Sequence, residues 1–132
     1  MDNLRFKFRG KRVDNGVWVY GFYFKEAIEN EDKQGFDYLS FIKAEYGDHY
    51  KNYEVIPETV GQYTGLKDAS GFEIYEGDIL QGDGVFEVIF HDSAWWLFSV
   101  LDKTEQWSFA ECNIPKCQII GNIHETPELL EK

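Results

Sequence analysis

The stretch TVGQYTGLKDASGFEIYEGDIL, residues 59–80, decides the fold. Its glycines stand at 61, 65, 71 and 77, several of them beside acidic residues. Such a run can cradle a phosphate, hold a metal, or punctuate a sheet. A phosphate loop needs a lysine and then a serine or threonine directly after its second glycine, with a helix following. Here the glycines precede short aromatic runs instead. The dinucleotide pattern fails too, because Glu87 stands where a third glycine should follow Gly82 and Gly84. Asp68, Glu73, Glu76 and Asp78 lack the ligand spacing of a calcium loop. The stretch therefore reads as strands and turns: VGQYT, a KDASG turn, FEIY, a bend at Gly77, then ILQ. Within it Asp68 can bond back to its own backbone, and Gly71 supplies a positive φ.

Working outward, residues 4–24 read as a β-hairpin. LRFKFRGKRV alternates basic and aromatic residues, and VWVYGFYF follows Asn15-Gly16, a preferred pair for a two-residue turn. Trp18, Tyr20, Phe22 and Phe24 fall on one face of the second strand, with Val17, Val19 and Tyr23 on the other. Both faces are apolar, which predicts a central strand. EAIENEDKQG reads as a short helix or a loop, FDYLSFI as a strand, KAEYGDHYKN as exposed, and YEVIP as a strand stopped at Pro57. After GDG at 82–84, VFEVIF, AWWLFSV, WSFAE and QIIGNI supply further strands. TPELLEK reads as a terminal helical turn with Thr126 as N-cap. The fold class is mainly β: an N-terminal antiparallel sheet region over 1–66, and over 67–132 a small barrel or strongly bent sheet.

At 132 residues, 43% hydrophobic and 17% aromatic, the chain can bury a core without staples. No apolar run approaches the roughly 20 residues that span a bilayer, so no membrane is expected. The start, MDNLRFKFRGKR, lacks a secretory leader's apolar centre, and two cysteines without a leader point to a reducing cytoplasm. Cys112 and Cys117, in CNIPKC, read as ordinary thiols. A structural zinc site needs four ligands, and only His124 offers a third. His91-Asp92 reads as a turn, since neighbours on a strand point to opposite faces. No cofactor and no catalytic residue is expected.

The net charge of −11 is uneven: residues 1–20 carry five basic against two acidic residues, net +3, and the remainder is −14. On a strand Arg5, Lys7, Arg9 and Lys11 share one face, opposite Phe6 and Phe8, over about 20 Å. With Arg12 they form a stripe that can follow a phosphate backbone or neutralise acids of this chain or a second copy. Trp95 and Trp96, with Trp107, can stack on bases or a peptide; one of the adjacent pair belongs to the core and the other can be displayed.

KFRGKRVDNGVWVYG, IPETVGQYTGLKDASGFEIYEGDIL and the ending IIGNIHETPELL together resemble the YopX family of phage and prophage proteins. The resemblance implies a β-rich N-terminal sheet region, a C-terminal barrel of the SH3-like type, and the cytoplasm of a bacterial host. It supplies no catalytic residues. The resulting expectation is a non-enzymatic accessory protein that binds another macromolecule, a protein first, with self-association into a homo-oligomer as one form. The alternatives are a nucleic-acid-binding module using the basic hairpin, and an acidic mimic that occupies a host nucleic-acid-binding protein.

Overall fold

The computed structural model describes residues 7–32, 34–102 and 104–130, apart from the side chain of Leu130. Arg5, Phe6 and the last two residues of the expected helical turn lie outside these. Two antiparallel sheets account for the fold, with no α-helix among the described residues. The chain divides into two compact units, residues 1–62 and 63–132.

The first unit is a meander of β1 (Phe8–Lys11), β2 (Trp18–Glu29), β3 (Phe36–Tyr46) and β4 (His49–Val55), in the spatial order β4-β3-β2-β1. β2 is central, as its two apolar faces require. Only one face is fully covered, however: Val19 and Tyr23 pack on buried Ile42, Ala44 and Val55, whereas Phe22 on the other face is 44% exposed. Each such buried aliphatic side chain contributes about 1.5–3 kcal/mol of transfer free energy. The β1–β2 turn is wider than the Asn-Gly pair suggests. The Arg12 N–H donates to Val17 O and the Gly16 N–H to Arg12 O, both at 2.9 Å, which leaves four residues in the loop. Gly16 has φ +72°, and Asn15 is not left-handed. The type I′ and II′ two-residue turns both need positive φ at their first central position, so neither forms on Asn15-Gly16.

The largest difference from the sequence reading lies in residues 25–35. Strand β2 continues to Glu29, and Glu26–Glu29 pair with Leu39–Phe36. The loop is confined to 30–35, where Asn30 Oδ1 accepts the Gln34 N–H at 3.0 Å and the Asn30 N–H reaches Gly35 O at 3.0 Å. The acidic residues misled the reading: on strands exposed on both faces, charged and apolar side chains intermix without a clean alternation. KAEYGDHYKN likewise joins β3 to β4, turning at Gly47 with φ +63°. Gly21 lets β2 pass close beside β3, since a Cβ there would collide with the Lys43 carbonyl oxygen.

Strand β5 (Gly61–Lys67) has its first residues beside β1 and its later ones beside β6 (Glu73–Tyr75). The second unit's sheet has the order β10-β9-β8-β7-β11, built from β7 (Asp78–Gln81), β8 (Val85–His91), β9 (Ala94–Ser99), β10 (Gln106–Ser108) and β11 (Gln118–Asn122). Its strands do not close into a barrel; β10 and β11 are its edges. Ile74, Leu80, Val88, Leu97 and Ile114 form its buried core. A single 3₁₀ turn, Pro127–Leu130, follows β11, and the Thr126 hydroxyl exchanges bonds with the Asn122 backbone instead of facing the turn.

The opening stretch is turn chemistry, as read. Asp68 Oδ1 accepts the N–H groups of Ser70 and Phe72, both at 2.9 Å, and Oδ2 accepts that of Ile119 at 3.0 Å. Gly71 and Gly77 have φ near +90°. Burial opposes the ionisation of Asp68, but the N–H bonds from Ile119, Phe72, Ser70 and Gly71 outweigh it, and the carboxyl sits below the usual carboxylate range.

Two stability measurements follow. Gly21→Ala is expected to cost about 2–3 kcal/mol in urea unfolding, because backbone must move to admit the methyl group. Gly35→Ala, with only ordinary contact to Asn30 at 3.5 Å, should stay near neutral. Asp68→Asn should cost about 2 kcal/mol at neutral pH. A lowered native pKa stabilises above the unfolded value of 3.8 and ceases to do so as pH falls through the native one. The difference between wild type and Asp68→Asn should therefore narrow from pH 6 towards pH 3; a constant difference would refute the charge-based account.

Candidate binding surfaces

Alternation along β1 holds for its described residues. Phe8 turns towards Tyr23, with ring centroids 5.5 Å apart, and Gly10 lies against Val55. Arg9 and Lys11 point the other way, onto Trp18, with their charged ends 4.6 Å and 5.7 Å from its ring centroid. Arg9 is only 6% exposed, so the stripe is not a displayed row of cations at this point. Lys7 is half-buried. The Arg12 guanidinium stacks 4.6 Å over Tyr53 and grips Asp14 through Nε–Oδ1 at 3.0 Å and Nη2–Oδ2 at 2.7 Å. The Arg12 bond holds the Asp14 carboxyl below its ordinary range. A cation over an aromatic face gains from the ring quadrupole, and more so where water is excluded.

The two adjacent tryptophans part as strand geometry requires. Trp95 joins the core, edge-on to Phe90 at 4.9 Å and near Phe109 at 6.2 Å. Trp96 lies on the opposite face, half-buried, with Nε1 donating to His91 O at 2.9 Å. The basic strand belongs to the first unit and the tryptophans to the second. His91 and Asp92 do meet, Nε2 to Oδ2 at 3.2 Å, because Asp92 and Ser93 have left the strand with φ of 50° and 62°. The pair is exposed at a turn tip.

The second unit carries a groove of about 930 Å³. It lies against the sheet face of Phe86, Leu97 and Trp107, bounded by the segment that bears Glu111, Cys112 and Cys117. Leu97 is buried, while Trp107 is 42% exposed. Among the described residues, exposed Asp83, Asp102, Glu105 and Glu111 stand around it with one cation, Lys116. Three carboxylates are held from one side. Asp102 Oδ1 accepts the Thr104 hydroxyl at 2.6 Å and its N–H at 3.0 Å, which draws the Asp102 pKa down. Glu105 Oε2 accepts the Trp107 indole N–H at 3.0 Å, and Glu111 Oε1 accepts the Ser108 N–H at 3.0 Å. Burial raises both cysteine pKa values, with Glu111 adding to the effect at Cys112 and Asp83 at Cys117. Both shifts favour the protonated thiol. Among the described residues no cluster of three His, Cys, Asp or Glu side chains could hold a metal.

Sequence reasoning missed two surfaces: this groove, and the ribbon of β2 and β3 beyond residue 25. For the groove the available signal was Trp107 among nearby acids, in DKTEQWSFAE. For the ribbon it was Ile28, Phe36 and Tyr38 spread along a polar stretch.

A crystal structure of protein EF1440 from Enterococcus faecalis is similar to this chain, with a TM-score of 0.54 at 23% identity, covering 94% of this chain and 96% of that one. At that identity the likeness is one of fold. None of the curated proteins matches the chain. The model of the YopX protein family matches residues 7–131, which takes in β1, the glycine-rich turns and the C-terminal strand alike. The chain belongs to the YopX family.

Proposed function

We propose that the protein is a non-enzymatic binding module, an accessory protein of phage or prophage type acting in the bacterial cytoplasm, and that its partner is another protein. One observation carries the reading. The segment of β3 from Phe36 to Leu39 pairs with β2, while β4 joins β3 only from Ser40 onward. Among the described residues this leaves a two-stranded ribbon. It displays Phe36 at 62%, Tyr38 at 65% and Ile28 at 41% exposure. An isolated two-stranded ribbon is marginal in water, and clustered exposed aromatics mark contact surfaces. Its open backbone edge and alternating side chains suit strand addition to a partner sheet. The basic strand supports a nucleic-acid partner less well, because Arg9 is buried on Trp18 and Arg12 is committed to Asp14.

A photo-crosslinking residue at Tyr38, expressed in the bacterial host, should give a discrete protein adduct that Phe36→Ser abolishes. The same residue at Glu58, on an exposed turn, serves as control. Sedimentation velocity across dilution separates a second copy from a different protein. A monomer at every concentration, with no adduct at position 38, would overturn the ribbon as the contact surface.

A further inference from the structure

The groove of the second unit points to a particular chemistry of partner. Its apolar side is Phe86, Leu97 and the exposed part of Trp107. Among the described residues its charge is mostly of one sign, with four carboxylates against Lys116. Among the described residues, Asp102 Oδ2, Glu105 Oε1 and Glu111 Oε2 accept no hydrogen bond, while the other oxygen of each is anchored. Anchoring removes rotamer freedom before a ligand arrives, so less is lost on binding. The Trp107 indole has its N–H fixed by Glu105, which sets the ring beside an acceptor. An aromatic face with carboxylates around it is the arrangement that attracts a guanidinium or ammonium group.

We infer that this groove receives a basic segment of a protein, with an arginine or lysine on Trp107 among Asp102, Glu105 and Glu111 and a neighbouring apolar side chain over the half-buried Phe86. The inference rests on the protein-binding reading and names the chemistry of the partner. The occupant is polypeptide because the site joins an apolar floor to a charged rim along a groove far larger than one side chain. Charge complementarity chooses a basic segment over an acidic one: the described lining, at −3, would repel carboxylates and phosphates alike.

The test is fluorescence anisotropy with a short labelled peptide alternating arginine and phenylalanine. Two control peptides replace the arginines by glutamate or the phenylalanines by serine. The wild type should bind the first peptide and weaken as salt rises, bind the serine peptide less well, and ignore the glutamate peptide. The combined variant Asp102→Asn, Glu105→Gln, Glu111→Gln should lose about tenfold or more in affinity at low salt. Its urea midpoint verifies folding, and Trp107→Leu, which keeps the rim charge, should also weaken binding. Equal binding by wild type and the combined variant would overturn the site. So would free arginine competing as well as the peptide, or a wild-type dimer that the combined variant dissolves, since the occupant would then be a small cation or a second copy. A crosslink at Tyr38 without peptide binding defeats the groove alone. Absence of both defeats the protein-binding reading itself.

Discussion

The carboxylate of Asp68 ties two stretches of backbone together through three N–H groups. Through Oδ1 it closes the turn that carries Ser70 and Phe72, and through Oδ2 it holds the start of β11 at Ile119. An ionised acceptor strengthens every bond it receives, and Asp68 is 5% exposed, so water competes little. The turn then delivers the chain into β6 and, past Gly77, into β7, which pairs with the strand that Asp68 already holds. Asp78 repeats the device on a smaller scale: buried at 2%, it accepts the Tyr75 N–H at 2.8 Å. The acids in this stretch serve the sheet from inside, which is why their spacing matches neither a metal loop nor a phosphate loop.

Much of the fold was legible because its strongest signals are local. Asp68, Gly71 and Gly77 announce turns by their own backbone chemistry, and VFEVIF and AWWLFSV announce strands by composition. What was hidden depends on pairing. EAIENEDKQG carries no strand periodicity, yet Glu26–Glu29 find β3 partners and extend β2 by four residues. The Asn-Gly turn failed for a related reason: the register that places Lys11 opposite Trp18, closed by the Arg12–Val17 bond, leaves the four residues 13–16 to span the gap, and local preference yields to it. A sheet that stays open rather than closing is also a property of pairing, set here by two short edges, β10 with three residues and β11 interrupted by a shift in register near Gly121.

The site residues divide along the same line. Alternation placed Arg9 and Lys11 on one face, and sequence could say no more. Their burial against Trp18 comes from β2 lying beside β1, a tertiary fact. Cations so placed are packing elements as much as charges, since their stems cover apolar surface while their ends rest on a ring. The tryptophan pair shows the converse. Opposite faces for Trp95 and Trp96 follow from strand geometry alone, but the sequence could not say which one meets Phe90 and Phe109.

Charge sorting ties these surfaces to the proposed role. A chain at −11 repels nucleic acid and other acidic proteins at long range, and the effect weakens with salt. Its basic residues do not offset this where they are most concentrated, because Arg9 is buried and Arg12 already holds Asp14. If the protein-binding proposal holds, the exposed acids would govern encounter and the apolar surfaces what stays bound. In the proposed reading the groove unites both terms. Asp102, Glu105 and Glu111 select and orient a basic segment, and Trp107 and Phe86 supply the area that retains it. The ribbon of β2 and β3 carries exposed acids as well, Glu26, Glu29 and Asp37 among Phe36, Tyr38 and Ile28, so in the same reading it too would favour a basic partner, with its open backbone edge adding strand pairing.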